Sequence, residues 1–118
     1  YSTSAGKAML AYLPESRIKE IWDASDIIQR TPNTVVDYDQ LLVVLEKVRQ
    51  NGYALDEEEN EPGIRCIGAP IFNHKGDVIG AISISGPTMR VTPEVVKTFR
   101  EHILKYTRLI SQELGYRT

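Results

Sequence analysis

The chain has 118 residues, with 14 basic and 16 acidic side chains and a formal net charge of -2. Hydrophobic residues make up 42% and charged residues 25%, the balance of a globular domain long enough for one core but hardly for two. No run approaches the roughly 18 apolar residues that span a membrane, and no signal sequence opens the chain. A mildly acidic chain with no basic stripe is by itself a poor nucleic-acid binder. The lone Cys66 excludes an internal disulfide framework and, with no secretion signal, points to the reducing cytoplasm. A start at Tyr1 rather than methionine predicts that the chain is a piece of something longer.

Taken in chain order, Ser2 to Leu13 reads as a helix. Ser2, Thr3 and Ser4 offer N-caps, and Ala5, Ala8, Met9, Tyr12 and Leu13 recur at helical spacing. Pro14 suits the first position of a second helix, with Ile18, Ile21 and Trp22 inward and Glu15, Arg17 and Lys19 in solvent. Ser25 to Val36, which contains Thr31, Pro32, Asn33 and Thr34, reads as a loop. Asp37 to Asn51 is a short amphipathic helix. Asp37 is placed to cap it with Gln40 three residues on, Leu41, Val44, Leu45 and Val48 form its stripe, and Gly52 ends it.

Tyr53 to Leu55 fits a short strand, and Asp56 to Gly63 a polar turn. Ile64 to Phe72 and Val78 to Ser85 form a hairpin that turns through Asn73, His74, Lys75 and Gly76. A closing helix runs from Pro93 to Leu114, capped by Thr92 and ended by Gly115. Val95, Val96, Phe99, Ile103, Tyr106, Ile110 and Leu114 mark its buried face. Helices, a hairpin and a closing helix make an α+β domain with no repeats and no internal linker. An isolated hairpin is marginal in water, so further strands are expected from an upstream segment or from a second copy.

Chemistry-bearing residues are sparse. In the second hairpin strand Ile82 and Ile84 point one way and Ser83 and Ser85 the other, with Cys66 on the facing strand. Such a face can be the polar floor of a small-molecule pocket. The spacing alone favours a solvated face, or small residues that let a helix pack closely. Ser2 to Lys7 offers the N–H groups of a helix start, which suit an anion. Gly6-Lys7 is no phosphate loop, since the upstream glycine is missing and Ala8 stands where Ser or Thr would hold magnesium.

Asp56 to Glu61 carries five carboxylates in six positions, read as a solvated loop without calcium-loop spacing. A metal site from Asp56, Cys66 and His74 lacks local ligand spacing. A nucleophilic Cys66 would need His74 or His102 as its base, one in a turn and one on a helix. The sequence therefore predicts no enzyme, no metal and no cofactor.

Five segments together are more specific. They are Tyr1-Ser-Thr-Ser-Ala-Gly-Lys-Ala-Met-Leu-Ala, Arg30-Thr-Pro-Asn-Thr, Gly52-Tyr-Ala-Leu-Asp-Glu-Glu-Glu-Asn-Glu, Gly63-Ile-Arg-Cys-Ile-Gly-Ala-Pro-Ile-Phe and Ala81-Ile-Ser-Ile-Ser-Gly-Pro. In this order they resemble the C-terminal effector-binding domain of the isocitrate lyase regulator (IclR) family of bacterial transcription factors, over almost the whole chain. The start and the ending Leu114-Gly-Tyr also resemble the subgroup that includes ketodeoxygluconate repressors.

The resemblance implies a GAF-like fold, an antiparallel sheet flanked by helices, here lacking its first strands. It makes residues 1–118 the C-terminal part of the effector domain, with the winged helix-turn-helix DNA-binding domain absent. It implies a small oxo-acid or sugar-acid effector, a homodimer or homotetramer, DNA contact only through the absent domain, and no membrane. By position, Ser4 and Ala5 match the backbone that holds the effector's carboxylate, and Asp56, Ile64, Cys66, Ser83 and Ser85 the remaining wall. Ser4 departs from relatives that have glycine there. The contrasting class is a GAF-like dimerisation module whose pocket side chains have filled.

Overall fold

The structure, a computed structural model, describes residues 3–116. Helix α1 runs Ser4–Leu10 and α2 Glu15–Ala24. After a loop come α3 (Tyr38–Asn51), β1 (Ala54–Glu57), β2 (Ile64–Phe72), β3 (Val78–Pro87) and α4 (Pro93–Glu113). The expected α+β architecture is present. Ser2, offered as a cap, lies outside the described residues, and α1 is capped by Thr3, whose side chain accepts from the Gly6 N–H. Its predicted last turn, through Tyr12 and Leu13, has left the helix. Pro14 is the N-cap of α2 rather than its first helical residue, and only Ile18 of its inward residues is fully buried.

Asp37 caps α3 by accepting from the Asp39 N–H, and Gly52 ends it at a φ of 81°, a left-handed conformation that glycine adopts without strain. Leu41, Leu45 and Val48 of α3 form one core with Ala8, Leu10 and Ile18. Arg49 ties the ends of α3 and α1 together by donating to the Ala11 carbonyl at 2.7 Å.

The sheet is antiparallel, in the order β1-β2-β3. The first strand corrects the sequence reading. It takes Asp56 and Glu57 out of the predicted turn and pairs them with Cys66 and Arg65. A third strand gives the hairpin the partner it needs for stability. On one face Leu55, Ile67, Ala69, Ile82 and Ile84 pack against Val96, Phe99, Ile103 and Leu104 of α4 as a second core. Helix α1 lies against the other, and α3 packs on α1.

The buried stripe of α4 also differs from prediction. Ile103, Thr107 and Ser111 are buried, whereas Tyr106, Ile110 and Leu114 are exposed. The predicted stripe holds through Val96, Phe99 and Ile103 and fails beyond them, because the two side chains buried there are polar and hydrogen-bonded. Thr107 Oγ1 donates to the Ile103 carbonyl within its own helix, and Ser111 Oγ accepts from the Phe72 N–H where the β2–β3 register slips.

Candidate functional site

Residues directly paired across antiparallel strands share a face, so the register alone assembles the site. Asp56, Cys66 and Ser85 form one row across the sheet, and Ala54, Gly68 and Ser83 form the next. The second row seats α1. A Cβ built on Gly68 would lie 2.8 Å from the Ser4 carbonyl carbon, 2.9 Å from its oxygen and 3.0 Å from the Ala5 nitrogen. Glycine there lets the opening backbone of α1 rest on the sheet. The first row is left uncovered by the helix.

That uncovered row is the floor of a cavity of about 260 Å³. Its wall contains all seven residues that the family resemblance singles out: Ser4, Ala5, Asp56, Ile64, Cys66, Ser83 and Ser85. Thr3, Asn60 and Glu61 complete it and escape the sequence reading. Thr3 reads there only as a cap, and Asn60 and Glu61 only as solvated members of an acidic run. The two readings of the small-residue face are both right in part: one row packs a helix closely and the other lines the cavity.

The acidic run itself is a correction. Asp56 is 4% exposed and Glu59 7%, so the run is solvated only in part, at the exposed Glu57 and Glu61. Asp56 Oδ1 accepts from the Glu59 N–H at 2.8 Å, and Oδ2 from the Asn60 amide at 2.8 Å. Each carboxylate oxygen keeps a further acceptor site. The side chain therefore folds its own loop before it meets any ligand. Glu59 reaches inward to Lys7, 2.6 Å away, in a pair whose side chains are 4% and 9% exposed. Lys7, the residue of the false phosphate-loop signal, is thus buried and neutralised, and it also donates to the Leu55 carbonyl.

Among the described residues no lysine or arginine lines the cavity, while Asp56 and Glu61 do. An anion placed there must be held by neutral donors. The Ser83 and Ser85 hydroxyls and the opening N–H groups of α1 are of that kind. Ile64 gives the wall an apolar side.

Cys66 is not activated for nucleophilic attack. Burial pushes its thiol pKa up, with Asp56 and Glu61 acting the same way; a hydrogen bond with Ser85 and the Lys7 charge oppose them. His74 sits in the exposed turn between β2 and β3, about 25 Å along the strand at the usual rise, and His102 is exposed on α4, across the sheet. Neither is a base for Cys66. Among the described residues no group of three or more His, Cys, Asp or Glu is placed to hold a metal, and His74 stands apart from Asp56 and Cys66. Among them, too, no helix is long and apolar enough to cross a membrane.

A larger hollow, about 480 Å³, lies where α1 ends against α2 and α3. Arg49, the one cation in its wall, is already engaged by Glu46 and the Ala11 carbonyl, and none of the sequence-derived residues is there. Size favours this hollow. Convergent polar groups favour the smaller cavity, and they decide recognition.

Residues 1–112 match the family described as "Bacterial transcriptional regulator IclR C-terminal". The HTH-type transcriptional regulator KdgR of Escherichia coli (strain K12) is 38% identical over 116 residues, which are 98% of this chain and 44% of that protein. The crystal structure of Thermotoga maritima IclR has a TM-score of 0.92 to this fold at 41% identity, covering 98% of this chain and 47% of that one. The inducer-binding domain of PobR from Acinetobacter, solved as a double mutant with 3-hydroxybenzoic acid, has a TM-score of 0.82 at 31% identity, covering 98% and 66% of the two chains. The chain spans less than half the length of curated relatives such as KdgR.

Proposed function

The chain belongs to the IclR family of bacterial transcriptional regulators, and from that premise we propose that it is a small-molecule-sensing domain whose effector, a small oxo acid or sugar acid, occupies the cavity between α1 and the β2–β3 hairpin. One observation carries the reading: seven residues that the family resemblance marks in four separate segments line a single cavity. Its volume of about 260 Å³ lies just below the range for drug-sized ligands, which suits a compact acid. Ser83, Ser85 and the α1 backbone offer donors to a carboxylate, and Ile64 packs its apolar part. Asp56, through its remaining acceptor sites, takes a hydroxyl of the ligand or a bridging water.

PobR, whose inducer-binding domain was solved with a hydroxybenzoic acid, is a precedent for a small carboxylate on this fold. Effector binding shifts a conformational equilibrium of a cytoplasmic homodimer or homotetramer, by no more than the two states differ in effector affinity. DNA is contacted through a domain outside this chain. An unfilled cavity speaks against the contrasting class, a dimerisation module whose pocket has closed.

Thermal unfolding against pyruvate, glyoxylate, ketodeoxygluconate, 3-hydroxybenzoate and other sugar acids tests the proposal. A ligand at a hundred times its Kd stabilises the folded state by about 2.7 kcal/mol, visible as a raised midpoint. One selective hit that is lost on changing Ser83 or Ser85 supports the sensor. A clean transition that no acid moves argues for the interaction module.

A further inference from the structure

The loop that closes one side of the cavity is held from outside by a turn that does not touch the cavity at all. Three successive carbonyls of the acidic loop each accept a hydrogen bond from the turn at 31–34. Asn33 Nδ2 donates to the Glu57 carbonyl at 2.9 Å, Thr31 Oγ1 to that of Glu58, and Thr34 Oγ1 to that of Glu59. The turn is itself rigid. Thr34 Oγ1 also accepts from the Thr31 and Arg30 N–H groups, at 3.0 and 3.1 Å, and Thr31 Oγ1 from the Asn33 N–H at 3.1 Å. The Thr34 hydroxyl must therefore donate and accept together, which serine can do and valine cannot. Thr31 and Thr34 are both buried.

The loop needs this restraint. Glu58 sits at a φ of +57°, a left-handed conformation that strains a side-chain-bearing residue and persists only where its surroundings fix it. On the inner side Lys7 completes the grip through Glu59 and the Leu55 carbonyl.

We propose that Thr31, Asn33 and Thr34, with Lys7 beneath, are positioning residues of the cavity: they hold the loop after β1 in the one conformation that sets Asn60 and Glu61 in the cavity wall beside Asp56 and Cys66. The functional meaning rests on the cavity being the effector site; the mechanical claim does not. Because the turn belongs to the segment joining α2 to α3, a ligand that displaces the acidic wall also displaces that segment.

Cys66 reports on the grip without any ligand. Its alkylation by iodoacetamide at neutral pH is followed in the full-length regulator by mass spectrometry of the Cys66 peptide. Thr34→Val should raise the rate at least tenfold, because freeing the loop uncovers the thiol, the main reason it stays protonated, and moves Glu61 away from it. Thr34→Ser should stay within about twofold of the parent. Ile18→Val, which loosens the other core without touching the turn, should also stay near the parent even if it lowers the melting midpoint as much. Should Thr34→Val fail to fold, Asn33→Ala removes one hydrogen bond at an exposed position and should give a smaller increase of about threefold. Parent-like rates in the folded threonine or asparagine variant overturn the proposal. So does an Ile18→Val rate that rises as far, since loosening alone then accounts for the effect. An effector panel without hits would sink the effector reading and leave these rates unaffected.

Discussion

The two faces of the β2 strand are made from alternate residues of one segment and do opposite work. On the α4 side, Ile67 and Ala69 are fully buried against Ile103 and its neighbours. On the α1 side, Cys66 and Gly68 carry little bulk, one flooring a cavity and the other seating a helix start. The first face gains stability by excluding water from aliphatic carbon. The second gives up that gain: Cys66, Gly68, Ser83 and Ser85 are small, and space is left over. A period of two residues is enough to separate a packed face from one that leaves a cavity.

If the faces are separate, mutations should separate too. Ile67→Ala removes a wholly buried side chain and should cost about 2–5 kcal/mol of stability, measured by denaturant unfolding, while the folded fraction binds effector as the parent does. Gly68→Ala is the mutation built to break the separation. Its methyl group collides with the Ser4 carbonyl, so α1 must lift. Overpacking of this kind costs typically about 1–3 kcal/mol, and here the same displacement should remove effector binding in titration calorimetry. A Gly68→Ala protein that loses stability and still binds like the parent would mean that the start of α1 is not part of the site.

Much of this division is legible in the sequence, and the failures have physical causes. The alternation of Ile82, Ser83, Ile84 and Ser85 marks both faces of β3, because the strand period is indifferent to what packs on it. Helix α3 is legible because its Asp37 cap, aliphatic stripe and Gly52 terminus agree with one another. The α4 stripe is not, because Thr107 and Ser111 are buried by making local and cross-element hydrogen bonds that no hydropathy pattern records. The acidic run misleads for a related reason. Charge predicts solvent exposure unless a partner is present, and the partner of Glu59 is Lys7, 52 residues away. The seven wall residues come from likeness to a family; spacing alone favours a blander reading. What neither supplies is the turn at 31–34, whose three contacts with the loop are invisible until the chain is folded.

Smaller effects sharpen the contrast from the sensing side. Ser85→Ala should leave unfolding within about 0.5–1.5 kcal/mol of the parent, since it removes a single hydroxyl at a partly open site. Effector affinity should fall by about 1–3 kcal/mol, the cost of leaving a charged group without its partner. The inverse of the Ile67→Ala pattern is the expected signature. Equal losses in both measurements would place Ser85 with the core.

The smallest effect concerns the pH dependence of stability. The folded-state pKa of Cys66 lies above its unfolded value, first because burial penalises the thiolate and then because Asp56 and Glu61 repel it. Below the unfolded thiol pKa, roughly 8.5, the proton is bound in both states and the two do not differ in ionisation. Between that value and the higher folded one, the unfolded chain ionises first, so stability falls as pH rises. Compared with Cys66→Ser, which cannot ionise in this range, the parent should therefore show an extra decline in melting midpoint that opens above about pH 8.5 and is absent at pH 7. Glu61→Gln should shrink that decline, because it removes one of the repelling charges. A parent and Cys66→Ser that track each other through about pH 10 would show a thiol as hydrated folded as unfolded, and a cavity floor more open to water than this geometry allows.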